Sequence, residues 1–318
     1  MTDLYIASCC ETGGIYHFLL DQTGLHEADV CPLDRPMYLA LRDDKLYALL
    51  RDPEKTGQSG LVCATLDVTG KPTLQSEITA TQGTVGCHLA VTDRGVFVAN
   101  YVSGSVFRTP NRLVTHSGKG FRPDRQEKAH THCTVLTPDG QYICVADLGL
   151  DKIFVYDLEL QPVSTVSVPD GSGPRHIAFT EDGRFMYCVC ELSSEVCRFS
   201  YQDGHLTLLD RASALPSDFS GNNLAAAIRI RNNLLYTSNR GHNSISVFAI
   251  GDHAPRLLET VSCGGKGPRD FDITGDLLVC TNENSGTVTF FRLEQGLPRP
   301  LPYKLEIPNA LCVVFRPR

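Results

Sequence analysis

TPDGQYICVADLGLDKIFVYDLE, residues 137–159, decides the fold. A Pro-Asp-Gly turn opens it, an apolar run ends on Asp147, a short loop intervenes, and a third, alternating run closes it. This is the pattern of strands joined by tight turns. Turn residues supply the reversals, and β-branched and aromatic side chains fit a pleated surface. The same order recurs in TEDGRFMYCVCELSSEVCRFSYQDG (180–204) and IRNNLLYTSNRGHNSISVFAIGD (230–252). Leu50, Asn100, Asp147, Glu191, Asn239 and Asn282 mark the end of the second run in six units, at intervals of 50, 47, 44, 48 and 43 residues. A period near 46 built from short β-rich runs is that of a four-stranded propeller blade. No run of ten or more residues carries the 3.6-residue period of a helix.

Six units leave two scraps. NALCVVFRPR (309–318) reads as an innermost strand without partners. DLYIASC (3–9), GIYHFLLD (14–21) and LHEADVC (25–31) read as three outer strands without an inner one. Joined, they make a seventh blade, which closes the ring and removes a free sheet edge. The expected fold is all-β, a seven-bladed β-propeller with four strands per blade, filling residues 1–318 as one domain. Irregular stretches near 110–130 and 211–224 are expected as loops over one end of the ring.

Composition narrows the partners. The chain is 42% hydrophobic and 20% charged, enough to bury a large core. A formal charge of -7 speaks against a polyanion-binding surface, so no nucleic-acid partner is expected. MTDLYIASCCETGG lacks the basic and apolar segments of a secretory signal, and no stretch approaches the roughly 20 apolar residues of a membrane span. A cytoplasmic protein without a membrane partner is expected, as a monomer or weak homodimer. The 13 cysteines agree, because the number is odd and Cys63, Cys144, Cys188, Cys190, Cys280 and Cys312 sit within apolar runs, where a thiol packs as a small hydrophobe. Neither Cys9-Cys10 nor the Cys188, Cys190 pair has zinc-site spacing, and neither metal nor cofactor is expected. Tryptophan is absent, and with it the Trp-Asp signature of one large propeller family.

In a propeller the first strand of each blade lines the central channel, and its start lies beside the end of the antiparallel second strand. Superposed on their turns, the blades put His132, Arg175 and Arg269 at one position, where sister blades carry Met37, Cys87 and Ala226. At the adjoining strand ends stand Asp147, Glu191, and Asn239 with Arg240. One mouth of the channel is therefore expected to hold three arginines, a histidine and two carboxylates. Guanidinium forks bind phosphate or carboxylate, so Arg175, Arg240 and Arg269, together with Asp147, are candidate substrate contacts. Glu191 or His132 is the candidate to take a proton from water. No G-x-S-x-G elbow is present, which makes water the expected nucleophile. Asp147 in DLGLD also suits a turn. His176 is expected on the opposite strand face, in blade packing, and His130 in a loop.

The runs HCTVLTPDGQYICVADLG (132–149), GSGPRHIAFTEDGRFMYCVCEL (171–192), LLYTSNRGHNSISVF (234–248) and GPRDFDIT (267–274) resemble the lactonase family of seven-bladed propellers. That family includes bacterial 6-phosphogluconolactonases and a fungal muconate cycloisomerase. The resemblance spans the whole chain. It implies hydrolysis of a small anionic sugar lactone, 6-phosphogluconolactone in the pentose phosphate pathway. It implies a site of His132, Arg175, Glu191 and Arg240, with Arg269 extending the anion pocket. One departure is Ala227 in LAAAIRI, where relatives carry an acidic residue. Two other readings stay open at this stage: interconversion of a dicarboxylate and its lactone, and a non-enzymatic propeller binding an anionic metabolite or a protein.

Overall fold

The structure, a computed structural model, describes residues 1–21, 24–75 and 77–317. Its hairpins follow from the turn residues. The Thr137 hydroxyl bonds Asp139 Oδ1 at 2.6 Å, the Gly140 amide donates to the Thr137 carbonyl at 2.9 Å, and Gly140 has a φ of +69°. Thr180, Asp182 and Gly183 repeat the device, with Gly183 at +71°. Such a φ strains any residue with a Cβ, so glycine terminates the turn in both blades.

The strands form seven sheets around an axis. In the first, Ala310–Pro317, Thr2–Ser8, Gly14–Asp21 and Gly24–Pro32 run from the axis outward. The inner strands of the second to seventh blades are Pro36–Arg42, Gly86–Thr92, Thr131–Leu136, Pro174–Phe179, Leu224–Arg231 and Pro268–Thr274. Each blade has four strands, and the second adds Thr79–Ala80 against its third strand. The ring closes as expected. Thr2–Ser8 pairs antiparallel with the last strand, from Thr2 opposite Pro317 to Ser8 opposite Ala310. Among the described residues the single helical element is the 3-10 turn Pro53–Lys55, and no helix is long and apolar enough to cross a membrane.

Side chains from neighbouring blades interdigitate to make the core. Cys144, Ile153 and Val155 of the fourth blade meet Met186, Cys188, Cys197 and Phe199 of the fifth. Burying one such Phe or Met contributes roughly 1.5–3 kcal/mol. All thirteen cysteines are free thiols, ten of them buried. At the second-strand ends, buried polar side chains pin the chain arriving from the preceding blade. Asn100 Nδ2 donates to the Thr81 carbonyl at 3.2 Å, and Asn239 Nδ2 to the Ala214 carbonyl at 3.0 Å.

One irregularity repeats around the ring. The ladder between inner and second strands passes over Met37, Cys87, His132, Arg175, Arg269 and Leu311 in six blades. In the sixth it passes over Ala226 and Ala227. A bulge leaves its extra residue out of the ladder and re-aims that side chain. The blade alignment made from turn residues is thereby reproduced position for position.

Removing residues 310–318 takes away the inner strand of the first blade and exposes both Thr2–Ser8 and the ring edges. The truncated chain should lose cooperative thermal unfolding and aggregate, measured by near-ultraviolet circular dichroism and size-exclusion chromatography. A monomeric truncation with an unchanged melting curve would contradict the role given to closure.

Candidate active site

Five of the bulged residues, Met37, Cys87, His132, Arg269 and Leu311, converge on an inner chamber of about 290 Å³. It is lined by His132, Cys87, Tyr101, Glu191, Arg240, Arg269, Glu283, Arg125 and Arg51, with Met37, Val85, Val102 and Leu311. Outside it lies a wider cleft of about 720 Å³ that shares Arg125, Arg240 and Glu283. The two predicted loops do sit over this mouth, with narrower bounds than expected. Arg112–Thr115 and His205–Ser213 are strands, which leaves 116–130 and 214–223 irregular.

Glu191 is 4% exposed and organises the charge. Its Oε1 accepts from Arg125 Nη2 at 2.6 Å, and its Oε2 from Arg175 Nε at 3.0 Å and Arg240 Nη2 at 2.6 Å. Burial alone would raise this carboxyl, but Arg240 and Arg175 outweigh it and hold the group well below the usual carboxylate range. Burial, then the neighbouring Arg240, lowers the Arg175 guanidinium to about 10, so it stays charged at neutral pH. Arg269 pairs with Glu283 at 2.9 Å. Five guanidiniums (Arg51, Arg125, Arg175, Arg240, Arg269) thus meet two carboxylates and leave three positive charges uncompensated, in a chain of net charge -7.

His132 is buried against this charge. Its Nδ1 lies 3.8 Å from the Cys87 thiol, and its ring meets the rings of Tyr101 and His176 edge-on at 5.4 Å. Burial first, then Arg175, holds it well below the ordinary histidine value, so it is neutral. Burial also pushes the Cys87 thiol up to about 12, which keeps it protonated. His130 closes the loop as expected: it stacks on Tyr101 at 4.5 Å and its Nδ1 donates to the Tyr101 carbonyl at 3.0 Å, fixing the wall on that side.

His132, Glu191, Arg240 and Arg269 therefore meet in one basin. Arg175 stands just behind Glu191, 2% exposed, its Nη1 donating to His176 Nε2 at 3.2 Å. Two readings change. Asp147 does not reach the chamber. It is fully buried, accepting from the His130 and Gly149 amides at 2.8 and 3.0 Å and bonded to His116 Nδ1 at 2.6 Å. The ladder explains why: Thr131 pairs with Asp147 as Pro174 pairs with Cys190, so Glu191 corresponds to Leu148 and stands one residue further on. His176 does not turn into the blade. The bulge at Arg175 breaks the alternation, and His176 meets His88 at 5.0 Å as well as His132. Ala227, by contrast, is fully buried in an apolar cluster with Tyr236 and Phe271 and does not line the chamber.

Arg51, Tyr101 and Glu283 escaped the sequence reading because they occupy the Glu191 and Arg240 position, one residue beyond the strand ends used as a ruler. Arg125 lies on a loop with no counterpart in the other blades, so nothing in the repeat marks it. Among the described residues, no group of three or more His, Cys, Asp or Glu side chains is placed to hold a metal ion.

A ring of blades that focuses positive charge on an axial chamber defines a propeller that handles small anions. Comparison with known proteins makes this specific: residues 3–315 match the model of the family "Lactonase, 7-bladed beta-propeller", and the chain belongs to that family. It is thereby a carboxylic ester hydrolase acting on lactones. A 6-phosphogluconolactonase of Bacillus subtilis (strain 168) is 35% identical over 331 residues, covering 95% of this chain and 94% of the relative. A protein from Lactobacillus plantarum has a crystal structure with a TM-score of 0.90 at 31% identity, over 100% of both chains. The periplasmic gluconolactonase of Pseudomonas aeruginosa gives 0.88 at 26% identity, over 99% of this chain and 98% of that one.

Two outcomes follow from these environments. His88, His132 and His176 are all held below the ordinary value, chiefly by burial, with His88 down to about 3. The unfolded chain protonates each near pH 6.5 while the folded chain keeps them neutral. Their stability contribution is therefore complete above about pH 6.5 and is lost as pH falls, at about 1.4 kcal/mol per unit for each histidine. Urea midpoints taken from pH 7.5 to 5 should fall steeply, and His88→Gln should flatten the slope by about a third. Glu191→Ala leaves Arg175 buried without its carboxylate and should cost about 3–5 kcal/mol in the same assay at pH 7.5.

Proposed function

We propose that the chain hydrolyses 6-phosphogluconolactone to 6-phosphogluconate, a step of the pentose phosphate pathway. The observation that carries this reading is the excess of guanidinium charge around a neutral imidazole in a chamber of monosaccharide size. Membership of the lactonase family and the Bacillus subtilis relative support it.

His132 takes the proton from water as the hydroxide attacks the lactone carbonyl carbon. Arg240 and Arg269 face the chamber and steady the oxyanion that develops. When the ring C–O bond breaks, His132 returns its proton to the departing alkoxide, so water has been added and the imidazole is restored. Glu191 is a poor proton acceptor because both its oxygens are held by guanidiniums. It acts as a positioning residue for Arg125, Arg175 and Arg240. No step calls for a cofactor, a membrane or nucleic acid. Free thiols throughout suit a reducing cytosol, where the protein would act as a monomer or weak homodimer.

Acid release from 6-phosphogluconolactone, followed against the spontaneous rate, tests the reading; a purified protein that leaves that rate unchanged ends it. Arg240→Ala should lower kcat/KM by about 10- to 150-fold, the worth of one charged hydrogen bond. His132→Gln should lower kcat by about 100- to 10,000-fold with a smaller effect on KM. An active His132→Gln variant would move the proton transfer elsewhere.

A further inference from the structure

Four guanidiniums line the inner chamber, and three of them are committed: Arg125 and Arg240 to Glu191, and Arg269 to Glu283. Arg51 has no acidic partner among the described residues. It follows the second strand of the second blade and is exposed to the chamber, on a side otherwise made by Met37, Val85 and Leu311. In a ring of seven, the second blade stands three steps from the fifth and three from the sixth, counted in opposite directions. Arg51 therefore faces Glu191 and Arg240 across the axis. A chamber of about 290 Å³ is roughly 8 Å across, the span of a six-carbon lactone from its carbonyl to a group on its last carbon.

We propose that Arg51 is the specificity determinant of the site, reading the phosphate at the end of the substrate remote from the lactone carbonyl. This rests on the lactonase reading above and adds to it a division of the chamber. One wall, at the fourth to seventh blades, carries the reaction and has its charges fixed by carboxylates. The opposite wall carries one uncommitted cation among apolar side chains, which offer a phosphate no competing counter-charge. An unphosphorylated sugar lactone fills the reacting side and leaves Arg51 unused. Arg122, which likewise has no acidic partner among the described residues, is the rival cation, but it lines the outer cleft and not the chamber. Its turn is held by buried Gln126, whose Oε1 accepts from the Arg122 amide at 2.8 Å, and this places it outside the mouth.

The test compares 6-phosphogluconolactone with gluconolactone on the wild-type chain, Arg51→Gln, Arg51→Lys and Arg122→Gln. Arg51→Gln should raise KM for the phosphorylated lactone about 10- to 100-fold with little change in kcat, while kcat/KM for gluconolactone falls by no more than about 3-fold. Arg51→Lys should recover part of the loss, because a point charge still attracts phosphate. Inorganic phosphate should inhibit gluconolactone hydrolysis competitively in the wild type, and at least about 10-fold more weakly in Arg51→Gln. Equal losses on both lactones, or a switch of discrimination in Arg122→Gln instead, would overturn the assignment. If the wild type hydrolyses both lactones and Arg51→Gln matches it, the lactonase reading stands and this inference falls. A wild type that hydrolyses neither lactone removes both.

Discussion

Antiparallel pairing of Thr2–Ser8 with Ala310–Pro317 is the constraint on which the molecule depends. A propeller blade buries its faces only against its neighbours, so an open ring leaves two apolar blade faces and a strand edge in water. Closure also sets the radius of the axis, and that radius decides whether the bulged side chains Met37, Cys87, His132, Arg269 and Leu311 meet around one chamber. The site is thus a consequence of the chain's two ends finding each other. No blade contains it: His132, Glu191, Arg240 and Arg269 come from four successive blades.

Within the closed ring, Glu191 governs the electrostatics. Three guanidiniums within 3.0 Å of one carboxylate would repel one another without it. With it they form a preorganised cationic wall that needs little rearrangement when negative charge develops on a substrate. Burial first, then the Arg175 charge, keeps His132 neutral, while Glu191 acts the other way and favours the imidazolium that forms when the ring accepts a proton. One carboxylate thus serves both the anion-binding arginines and the imidazole, by geometry and charge and without taking part in proton transfer. The chain as a whole is acidic, so the positive basin is a local feature focused by the low-dielectric walls of the channel.

The blade comparison identified the bulge positions because hairpin turns are local. Thr137, Asp139 and Gly140 fix their own reversal, and counting back from that turn reaches His132 as surely as it reaches Arg175 from Gly183. It failed at the second-strand end, where the ruler ran from Asp147 to Glu191. A one-residue difference in ladder register put Cys190, not Glu191, opposite the inner strand. Alternation likewise misplaced His176, because strict period two holds only along an unbroken ladder.

What the sequence determined by itself was the repeat, the seven blades, the shared terminal blade, and four of the residues that meet at the mouth. These rest on interactions between neighbours in the chain: turn residues, strand alternation and the apolar runs. Only the tertiary structure decided that Asp147 is buried in a turn, that Arg125 clasps Glu191 from a loop sixty-six residues away, and that Arg51 stands uncommitted across the axis. Those facts depend on ladder register and on distances across a closed ring. Both are settled by packing between blades, on which no local stretch of sequence carries information.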